Sequence, residues 1–208
     1  MRDRYEKNGA EAFDLHQLLE MLLFHSIRRG DTNPLAHRIL EKHPDLAIGI
    51  PDSHELTDVC GVGDSTANLL HIATDTVLAA LLESLKREPM SSSFTRMEYL
   101  WLWYKNKPSV RVAVLILDSK NRFLDCREIV VGANKIPKNY EEAIIKALDK
   151  KGARSAVLCH RHRDNSDSPS VEDIYLTGYL KKALEDKGYD LMAHYIVTDT
   201  DCIECPCG

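Results

Sequence analysis

Apolar residues recur at helical spacing through the first 85 residues of the chain. The segment DLHQLLEMLLFHSI begins with Asp14 as a cap and has a glutamine three positions later, which is the pattern of a capping box. The segment 32–43 places a proline in its first turn, where the missing N–H costs nothing, and predicts a second helix. A short helix is predicted at 53–58 and a long one at about 64–85. The first part of the chain is therefore expected to be all helical.

The pattern changes after residue 85. The stretch KREPMSSSF, residues 86–94, contains a proline and three serines and shows no periodicity, which is the composition of a linker. The later β-branched run VRVAVLILD is suited to a strand buried on both faces, and the turn SKNR joins it to a second strand, FLDCREIVV. The sequence therefore predicts a domain boundary at residue 88 and a β-hairpin beyond it.

Helices and strands alternate in the rest of the chain. Asn139 is a suitable helix cap with Glu142 at the third helical position, and the strand RSAVLCH follows that helix. A further helix is predicted over 171–187, and the strand YDLMAHYIV comes after it. We expect a mixed α/β fold, with a helical region at 1–88 and a sheet flanked by helices at 89–208.

The composition is that of a globular protein. With 208 residues and 44% hydrophobic content, the chain is long and apolar enough to bury a core. No run approaches the roughly 18 uninterrupted apolar residues of a membrane span. The N-terminal MRDRYEKNGAE is charged where a signal peptide turns apolar. We therefore expect a cytoplasmic protein that does not bind a membrane, while the sequence leaves its oligomeric state open.

The net charge of −5 is unevenly distributed along the chain. Residues 1–88 carry 9 Lys and Arg against 15 Asp and Glu, whereas residues 89–208 carry 18 against 17. Neither part has the basic field whose counterion release dominates most binding to nucleic acids.

Six cysteines in a chain of this type are more typical of thiols or metal ligands than of a disulfide framework. Three lie in apolar sequence and are expected in the core: Cys60, Cys126 and Cys159. The others form a CxxCxC pattern near residue 208: Cys202, Cys205 and Cys207. Such soft ligands could capture zinc or oxidise. Because the pattern has no fourth ligand nearby, an exposed, redox-sensitive tail is the favoured interpretation.

The turn GVG, which contains Gly61 and Gly63, lies between two predicted helices. Glycine permits a tight turn, and free amides at the start of the second helix could hold a phosphate. The pattern LTDVCGVGDSTA resembles the helix-hairpin-helix of DNA-binding proteins, with Ala67 as the small residue where the helices cross. Gly61 and Gly63 are therefore candidate nucleic-acid-binding residues. A packing turn is supported equally well, because the residues DST that follow offer no cation to a phosphate.

Two histidines one residue apart, His160 and His162, follow the apolar part of the strand RSAVLCH. Because strand side chains alternate, both imidazoles are expected on one face. A helix start follows, and its spacing puts Ser170 and Asp173 on one side of the first turn. Two imidazoles and a carboxylate leave one position open on a tetrahedral zinc ion, as catalytic zinc sites do. A water there would be acidified for hydrolysis, with the Ser170 hydroxyl close enough to stabilise an oxyanion.

Each half of this pattern also has a purely structural interpretation. Ser170 and Asp173 have the spacing of a capping box, and a His-x-His pair at a strand end can simply be solvated. The combination of His-x-His, a gap of seven residues and Ser-x-x-Asp is what favours a metal site.

The second part of the chain resembles the RadC family of bacterial proteins, a branch of the JAMM (MPN-type) metallohydrolases. The family signature is His-x-His-Pro, a gap of seven residues that includes this proline, and Ser-x-x-Asp; here it reads HRHRDNSDSPSVED. Segments in the family's order extend over nearly the whole chain, from DTNPLAHRILEKH through VLILDSKNR to AHYIVT. The resemblance implies a JAMM fold with layering similar to that of cytidine deaminases. It also implies zinc held by His160, His162 and Asp173, with Ser170 beside the bound water.

Two departures from the family pattern bear on function. The proline and glycine that shape the loop after the histidines are replaced, so that the loop reads RDN. JAMM enzymes use a glutamate just before the first strand as general base, whereas the corresponding place here, near Val110, has none. Glu142 and Glu128 are candidate substitutes, and His194 matches a family histidine.

Two functions follow from these residues. The first is a zinc-dependent hydrolase, since related JAMM enzymes cleave peptide or isopeptide bonds. Its peptide or protein substrate is not implied, and DNA binding through the hairpin would be an additional activity. The second is a catalytically impaired module that binds metal, nucleic acid or protein. The retained ligands favour the first function, and the missing glutamate favours the second.

Overall fold

The structure of the protein is a computed structural model. It describes residues 1–44, 46, 53–105, 107, 111–131, 140–162 and 165–206. The chain separates into two compact units, Met1–Ala79 and Ala80–Gly208. The domain boundary at residue 88 stays a prediction, because compactness alone does not test whether each part folds independently.

The described elements of the first unit are all helical. In chain order they are α1 (Arg2–Asn8), a 3-10 turn (Ala10–Ala12), α2 (Leu15–Leu23), α3 (Asn33–Lys42), α4 (Ser53–Thr57) and most of α5 (Asp64–Leu85). Asp14 and Gln17 form the predicted capping box of α2, and the proline falls in the first turn of α3. The all-helical expectation is confirmed. The sequence pattern does not predict α1, because none of its side chains is buried and no apolar stripe marks it.

The core of the first unit is built from apolar side chains of α2 to α5 and of the segments that connect these helices. Its buried members are Leu19, Leu23, Leu35, Ala36, Ile39, Leu46, Leu56, Val59, Val62, Ala67 and Leu70. Gly61, in the turn between α4 and α5, has a φ of 98°. A Cβ at this position would lie 3.3 Å from both Leu35 Cδ1 and Arg38 Nη2. The backbone conformation of the turn therefore favours glycine here, and a Cβ would also require the ends of the Leu35 and Arg38 side chains to shift slightly.

The second unit is a mixed sheet with helices on both faces. After the end of α5 its elements are α6 (Ser93–Lys105), β1 (Arg111–Leu117), β2 (Phe123–Val131), α7 (Tyr140–Lys151), β3 (Ser155–His160), α8 (Val171–Glu185), β4 (Asp190–Val197) and β5 (Cys202–Glu204). The strand order is β2-β1-β3-β4-β5, with β3 and β4 parallel and the other neighbouring pairs antiparallel. The mixed α/β class and the β1–β2 hairpin are confirmed.

The sheet buries both of its faces, because its central strands divide their apolar side chains between two cores. The odd-numbered residues of β1 at 113–117 pack on the side of α6, and the even-numbered residues at 112–116 pack against α7 and α8. This double burial explains why β1 is a continuous apolar run rather than an alternating one.

A bulge in β4 shifts its register against β3. The pairing skips Met192, which lies between the partners of Ala156 and Val157. As a result His194 pairs with Leu158 and lies on the sheet face that carries α7 and α8.

The segment 86–94 is held against the second unit and is not a free linker. Met90 is completely buried in the core on the α6 side, and its N–H donates to the Asn121 carbonyl at 2.9 Å. Arg96 of α6 is also buried, and its Nη1 donates to the carbonyls of Met90 and Ser91 at 2.8 Å each. The polar composition of this segment does not reveal these hydrogen bonds, because backbone atoms of Met90 and Ser91 make them.

The structure corrects the predicted environments of the cysteines. Cys60 is exposed rather than in the core, whereas Cys159 is buried as predicted and Cys126 is partly buried. Cys202 and Cys205 are both buried, since β5 pairs with β4 and carries this segment into the unit. The prediction of an exposed, redox-sensitive tail is therefore wrong for these two thiols, and the last cysteine of the chain lies outside the described residues.

Helix α5 is, among the described residues, the one helix long and apolar enough to cross a membrane by length and composition. For a single helix this is weak evidence, because helices of soluble proteins pass the same test, and α5 contains Asp75 and Glu83. The cytoplasmic location stays a prediction.

We expect Gly61→Ser to lower the free energy of unfolding by about 1–3 kcal/mol, because its φ is costly for any residue that has a Cβ. Gly63→Ser is the matched control: nothing lies within 4 Å of its Cβ position, its φ is not positive, and serine caps helices well. Its effect should stay below about 0.5 kcal/mol. Urea denaturation of the full chain measures both variants, and equal losses would contradict the assigned backbone requirement.

Candidate metal centre

His160 and His162 lie at the end of β3. His160 is the last residue of the strand, pairs with Val112 of β1 and Ile196 of β4, and is 6% exposed. His162 follows two residues later and is partly buried, and the centroids of the two rings are 4.7 Å apart. Even-numbered positions of β3 face α7 and α8, so His160 lies on the side of the sheet where α8 begins. His162 lies there too, because its ring contacts Asp173 of α8.

Asp173 reaches the site from the first turn of α8. Ser170 caps this helix, and its Oγ accepts a hydrogen bond from the Asp173 N–H at 3.1 Å. In return, the N–H and the hydroxyl of Ser170 donate to Asp173 Oδ2 at 2.8 and 2.5 Å. The capping box thus holds one carboxylate oxygen with two donors and leaves Oδ1 close to His160.

The three side chains converge on a common point. Asp173 Oδ1 lies 3.3 Å from His160 Nε2, and Asp173 Oδ2 lies 3.1 Å from His162 Nε2. One ligand atom from each residue lies within 4.8 Å of the other two. A tetrahedral zinc ion with bonds of about 2.0–2.1 Å separates its ligand atoms by about 3.3 Å. The two distances between an imidazole and the carboxylate match this value, so these contacts suit a metal ion. His160 Nε2 is also buried and has no hydrogen-bond partner among the described residues, which leaves it available as a ligand.

The surroundings keep the carboxylate charged and the deeper imidazole neutral. Burial alone would raise the pKa of Asp173, but the contact with His160 and the hydrogen bonds from Ser170 outweigh burial and hold that pKa well below its usual range. Burial, with the nearby imidazoles of His160 and His162, lowers the pKa of His194 to about 3. At neutral pH the site therefore offers one carboxylate to a cation.

Ser170 takes part in both arrangements that the sequence analysis leaves open, the capping box of a helix and the metal site. The capping box is present, and the same box places Asp173 beside the histidines. The capping and metal interpretations are therefore compatible. The Ser170 hydroxyl donates to Asp173 Oδ2, which orients the carboxylate. Its role in stabilising an oxyanion stays a prediction.

The loop after the histidines keeps a left-handed residue despite its altered sequence. Asn165 stands where the family pattern has glycine, and its φ is 56°. Asparagine is one of the few residue types besides glycine that adopt this conformation readily. Its Oδ1 accepts a hydrogen bond from the Asp199 N–H at 2.9 Å, and Arg161 Nη1 lies 3.3 Å from the Asp199 carboxylate. These contacts tie the loop to the turn between β4 and β5; residues 163–164 lie outside the described part of the chain.

Three positions are considered for a general base: the place near Val110 where the family has a glutamate, and the candidate substitutes Glu128 and Glu142. Val110 lies outside the described residues. Glu128 pairs in register with Ala113, whose side chain is on the α6 side, so Glu128 lies on the sheet face opposite to His160. It is therefore not placed for proton transfer at the site. Glu142 is exposed in the first turn of α7, on the same side of the sheet as α8, and stays a hypothesis.

Two buried polar residues lie behind His160. The Nε2 of His194 is 2.8 Å from His160 Nδ1, and its Nδ1 is 2.7 Å from Thr177 Oγ1. Thr177 lies one helical turn after Asp173 and donates to the Asp173 carbonyl at 2.6 Å. The family resemblance marks His194, whereas the sequence analysis misses Thr177. Its signal is its position four residues after Asp173, which puts both on the buried face of α8.

The candidate nucleic-acid-binding residues belong to the first unit. Gly61 and Gly63 fall between α4 and α5, as predicted. Arg38 of α3 reaches this turn, and its Nε donates to the Cys60 carbonyl at 3.2 Å. The local sequence shows no cation at the turn because the cation comes from a different helix.

These features define the second unit as a mixed α/β domain with a His–His–Asp group that could hold a metal ion. The chain belongs to the RadC-like JAB domain family, whose model matches residues 90–204, more than half of the chain. The resemblance inferred from the sequence is confirmed.

Relatives are similar over almost the entire chain. A UPF0758 protein of Rhodobacter capsulatus is 28% identical over 200 residues, which cover 95% of this chain and 93% of the relative. A UPF0758 protein of Fusobacterium nucleatum subsp. nucleatum is 27% identical over 207 residues, with 95% and 89% covered. One of Methanosarcina mazei is 26% identical over 201 residues, with 95% and 87% covered. The similarity therefore includes the helical unit as well as the JAB domain.

Proposed function

We propose that the protein is a zinc-dependent hydrolase of peptide or isopeptide bonds, with zinc held by His160, His162 and Asp173. The observation that carries the proposal is the convergence of two imidazoles and one carboxylate on a single point. At that point His160 Nε2 is buried without a hydrogen-bond partner among the described residues. Three protein ligands leave one position of a tetrahedral ion open, which is the difference between catalytic and structural zinc.

A zinc ion in this position would supply an acidified water and polarise a carbonyl oxygen of the substrate. The side chains of the site support this chemistry in different ways. Asp173 remains charged despite its burial, because its contact with His160 and the two hydrogen bonds from Ser170 hold its pKa below the usual range. We assign to the Ser170 hydroxyl, which donates to Asp173 Oδ2 in the structure, the stabilisation of the oxyanion that forms during hydrolysis, which requires its proton to turn from the carboxylate to the oxyanion. Glu142 is our candidate for the general base, since it is on the α8 side of the sheet and Glu128 is not.

The alternative is a module that binds metal, nucleic acid or protein without turnover. The observation that favours it is the absence of a glutamate near Val110, where JAMM enzymes place their general base. General-base catalysis contributes roughly 10²–10⁴-fold to a rate, so loss of this group would leave a site that binds zinc but turns over very slowly.

We expect the purified full chain to bind about one zinc ion, as a three-ligand open site does, and His160→Ala with His162→Ala to abolish binding. Atomic absorption of the dialysed protein measures this content. The matched control is His16→Ala with His37→Ala, which also removes two stacked histidines, 4.5 Å apart, but from the first unit. Unchanged zinc in the first variant would place the ion elsewhere, with the cysteines near residue 208 as the first alternative.

We expect the zinc-loaded full chain to cleave fluorogenic peptides or an isopeptide-linked fluorogenic lysine substrate, and Glu142→Gln to reduce the rate by about 10²-fold or more. Glu185→Gln, an exposed substitution at the end of α8, is the control and should leave the rate unchanged. A rate in Glu142→Gln equal to that of the wild type would remove Glu142 from the mechanism. Zinc binding without cleavage of any of these substrates would favour the non-catalytic alternative.

We also propose that the turn containing Gly61 and Gly63 binds the phosphate backbone of double-stranded DNA. The observation that favours this is the position of Arg38, whose guanidinium is at the turn and supplies the cation that the local sequence lacks. The acidic balance of residues 1–88 predicts weak binding that is lost as salt rises.

We expect mobility-shift assays of the full chain at low salt to show a complex with duplex DNA that Arg38→Gln weakens by at least several-fold. Arg28→Gln removes the same charge from an exposed position outside the turn and is the control. Equal weakening by the two substitutions would show only a general effect of charge. Absence of any complex at low salt would leave the packing interpretation of the turn.

A further inference from the structure

We propose that Thr177 and His194 are positioning residues that fix the tautomer of His160, so that His160 presents an unprotonated Nε2 to the metal. The inference rests on the proposed metal site and concerns how the protein prepares one of its ligands. Thr177 and His194 are 0% exposed and His160 is 6% exposed, so each hydrogen-bonding proton among them must be satisfied internally.

The chain of hydrogen bonds begins at a group that can only accept. Thr177 Oγ1 lies 2.6 Å from the Asp173 carbonyl, 2.7 Å from His194 Nδ1 and 3.6 Å from Cys205 Sγ. A hydroxyl has one proton, and without it the two oxygens of Thr177 and Asp173 would repel each other at 2.6 Å, whereas His194 Nδ1 can carry a proton of its own. The Thr177 hydroxyl therefore donates to Asp173 and must accept from His194, which places the proton of His194 on Nδ1.

The second step transmits this choice to the metal ligand. A neutral imidazole carries one N–H, so with its proton on Nδ1 the buried His194 can only accept at Nε2. His160 Nδ1 lies 2.8 Å from that nitrogen and must be the donor. His160 therefore carries a proton on Nδ1, and in its neutral form its Nε2 is left with a free lone pair.

The third step explains the unpartnered nitrogen. When His160 is neutral, its Nε2 and Asp173 Oδ1 lie 3.3 Å apart and both present lone pairs. Two acceptors buried at this distance repel each other unless a cation lies near both. With its proton held on Nδ1, neutral His160 thus presents at Nε2 a lone pair that can bind a cation but cannot donate a hydrogen bond.

His162 lacks this constraint. Its Nδ1 lies 2.8 Å from Ser166 Oγ, and its Nε2 lies 3.1 Å from Asp173 Oδ2. Neither distance assigns the proton of His162 to one nitrogen. The hydrogen-bond chain through Thr177 and His194 therefore fixes the tautomer of His160, whereas these two contacts of His162 are compatible with either tautomer.

Nitrogen-15 NMR of the histidine-labelled, metal-free full chain tests the tautomer directly. We expect the wild type to show His160 protonated on Nδ1, and Thr177→Val to shift part of the population to the Nε2–H form. Thr177→Ser keeps the hydroxyl and should restore the wild-type spectrum. A wild-type His160 protonated on Nε2 overturns the proposal, and this measurement needs neither the variants nor bound metal.

Zinc affinity, measured by competition with a chromophoric chelator, provides the second readout. Loss of such an outer hydrogen-bonding partner typically weakens metal binding by about 10–100-fold, so we expect that loss in Thr177→Val and recovery in Thr177→Ser. If Thr177→Val binds zinc as tightly as the wild type, the positioning role is wrong. If the expected tautomer is found but the wild type binds no zinc, the proposed function fails while the hydrogen-bond chain stands.

Discussion

The reciprocal hydrogen bonds between Ser170 and Asp173 are the contact on which the rest of the site depends. The first amides of a helix have no intrahelical partners, so α8 needs this capping box in order to begin where it does. The same bonds hold one oxygen of the Asp173 carboxylate and bring the other to His160. The same hydrogen bonds thus start α8 and orient the Asp173 carboxylate, so a change that weakens the helix cap also weakens the positioning of this ligand.

Elements with a clear apolar pattern, either a repeat or a continuous run, are predictable from the sequence, and elements without one are not. The bounds predicted for α5 and β3 agree closely with the structure, because α5 follows a turn with two glycines and β3 is a continuous apolar run. In α6, buried residues lie on several sides of the helix, so no stripe stands out. The three residues of β5 are too few for any pattern. Polar composition also fails to reveal that Met90 is buried, because backbone atoms make the contacts that hold it.

The residues of the candidate site are likewise predictable from the sequence only in part. The spacing of His160, His162, Ser170 and Asp173 predicts their grouping, since strand alternation and one helical turn are regular geometries. The sheet face of Glu128 is not predictable in this way, because the β1–β2 pairing contains a shift of register. Thr177 cannot be recognised from the sequence for a different reason. A threonine on the buried face of a helix is common, and its contact with His194 of β4 is known only from the structure.

The skipped residue in β4 decides how this strand responds to a change in its length. Side chains on either side of Met192 are out of phase, so residues after it face the side that simple alternation assigns to their neighbours. A chain without Met192 would restore simple alternation between Leu191 and Ala193, and His194 would still pair with Leu158 behind His160. A one-residue gap at this point in a relative is therefore compatible with the same arrangement of imidazoles, whereas an additional residue would require a second irregularity in the strand.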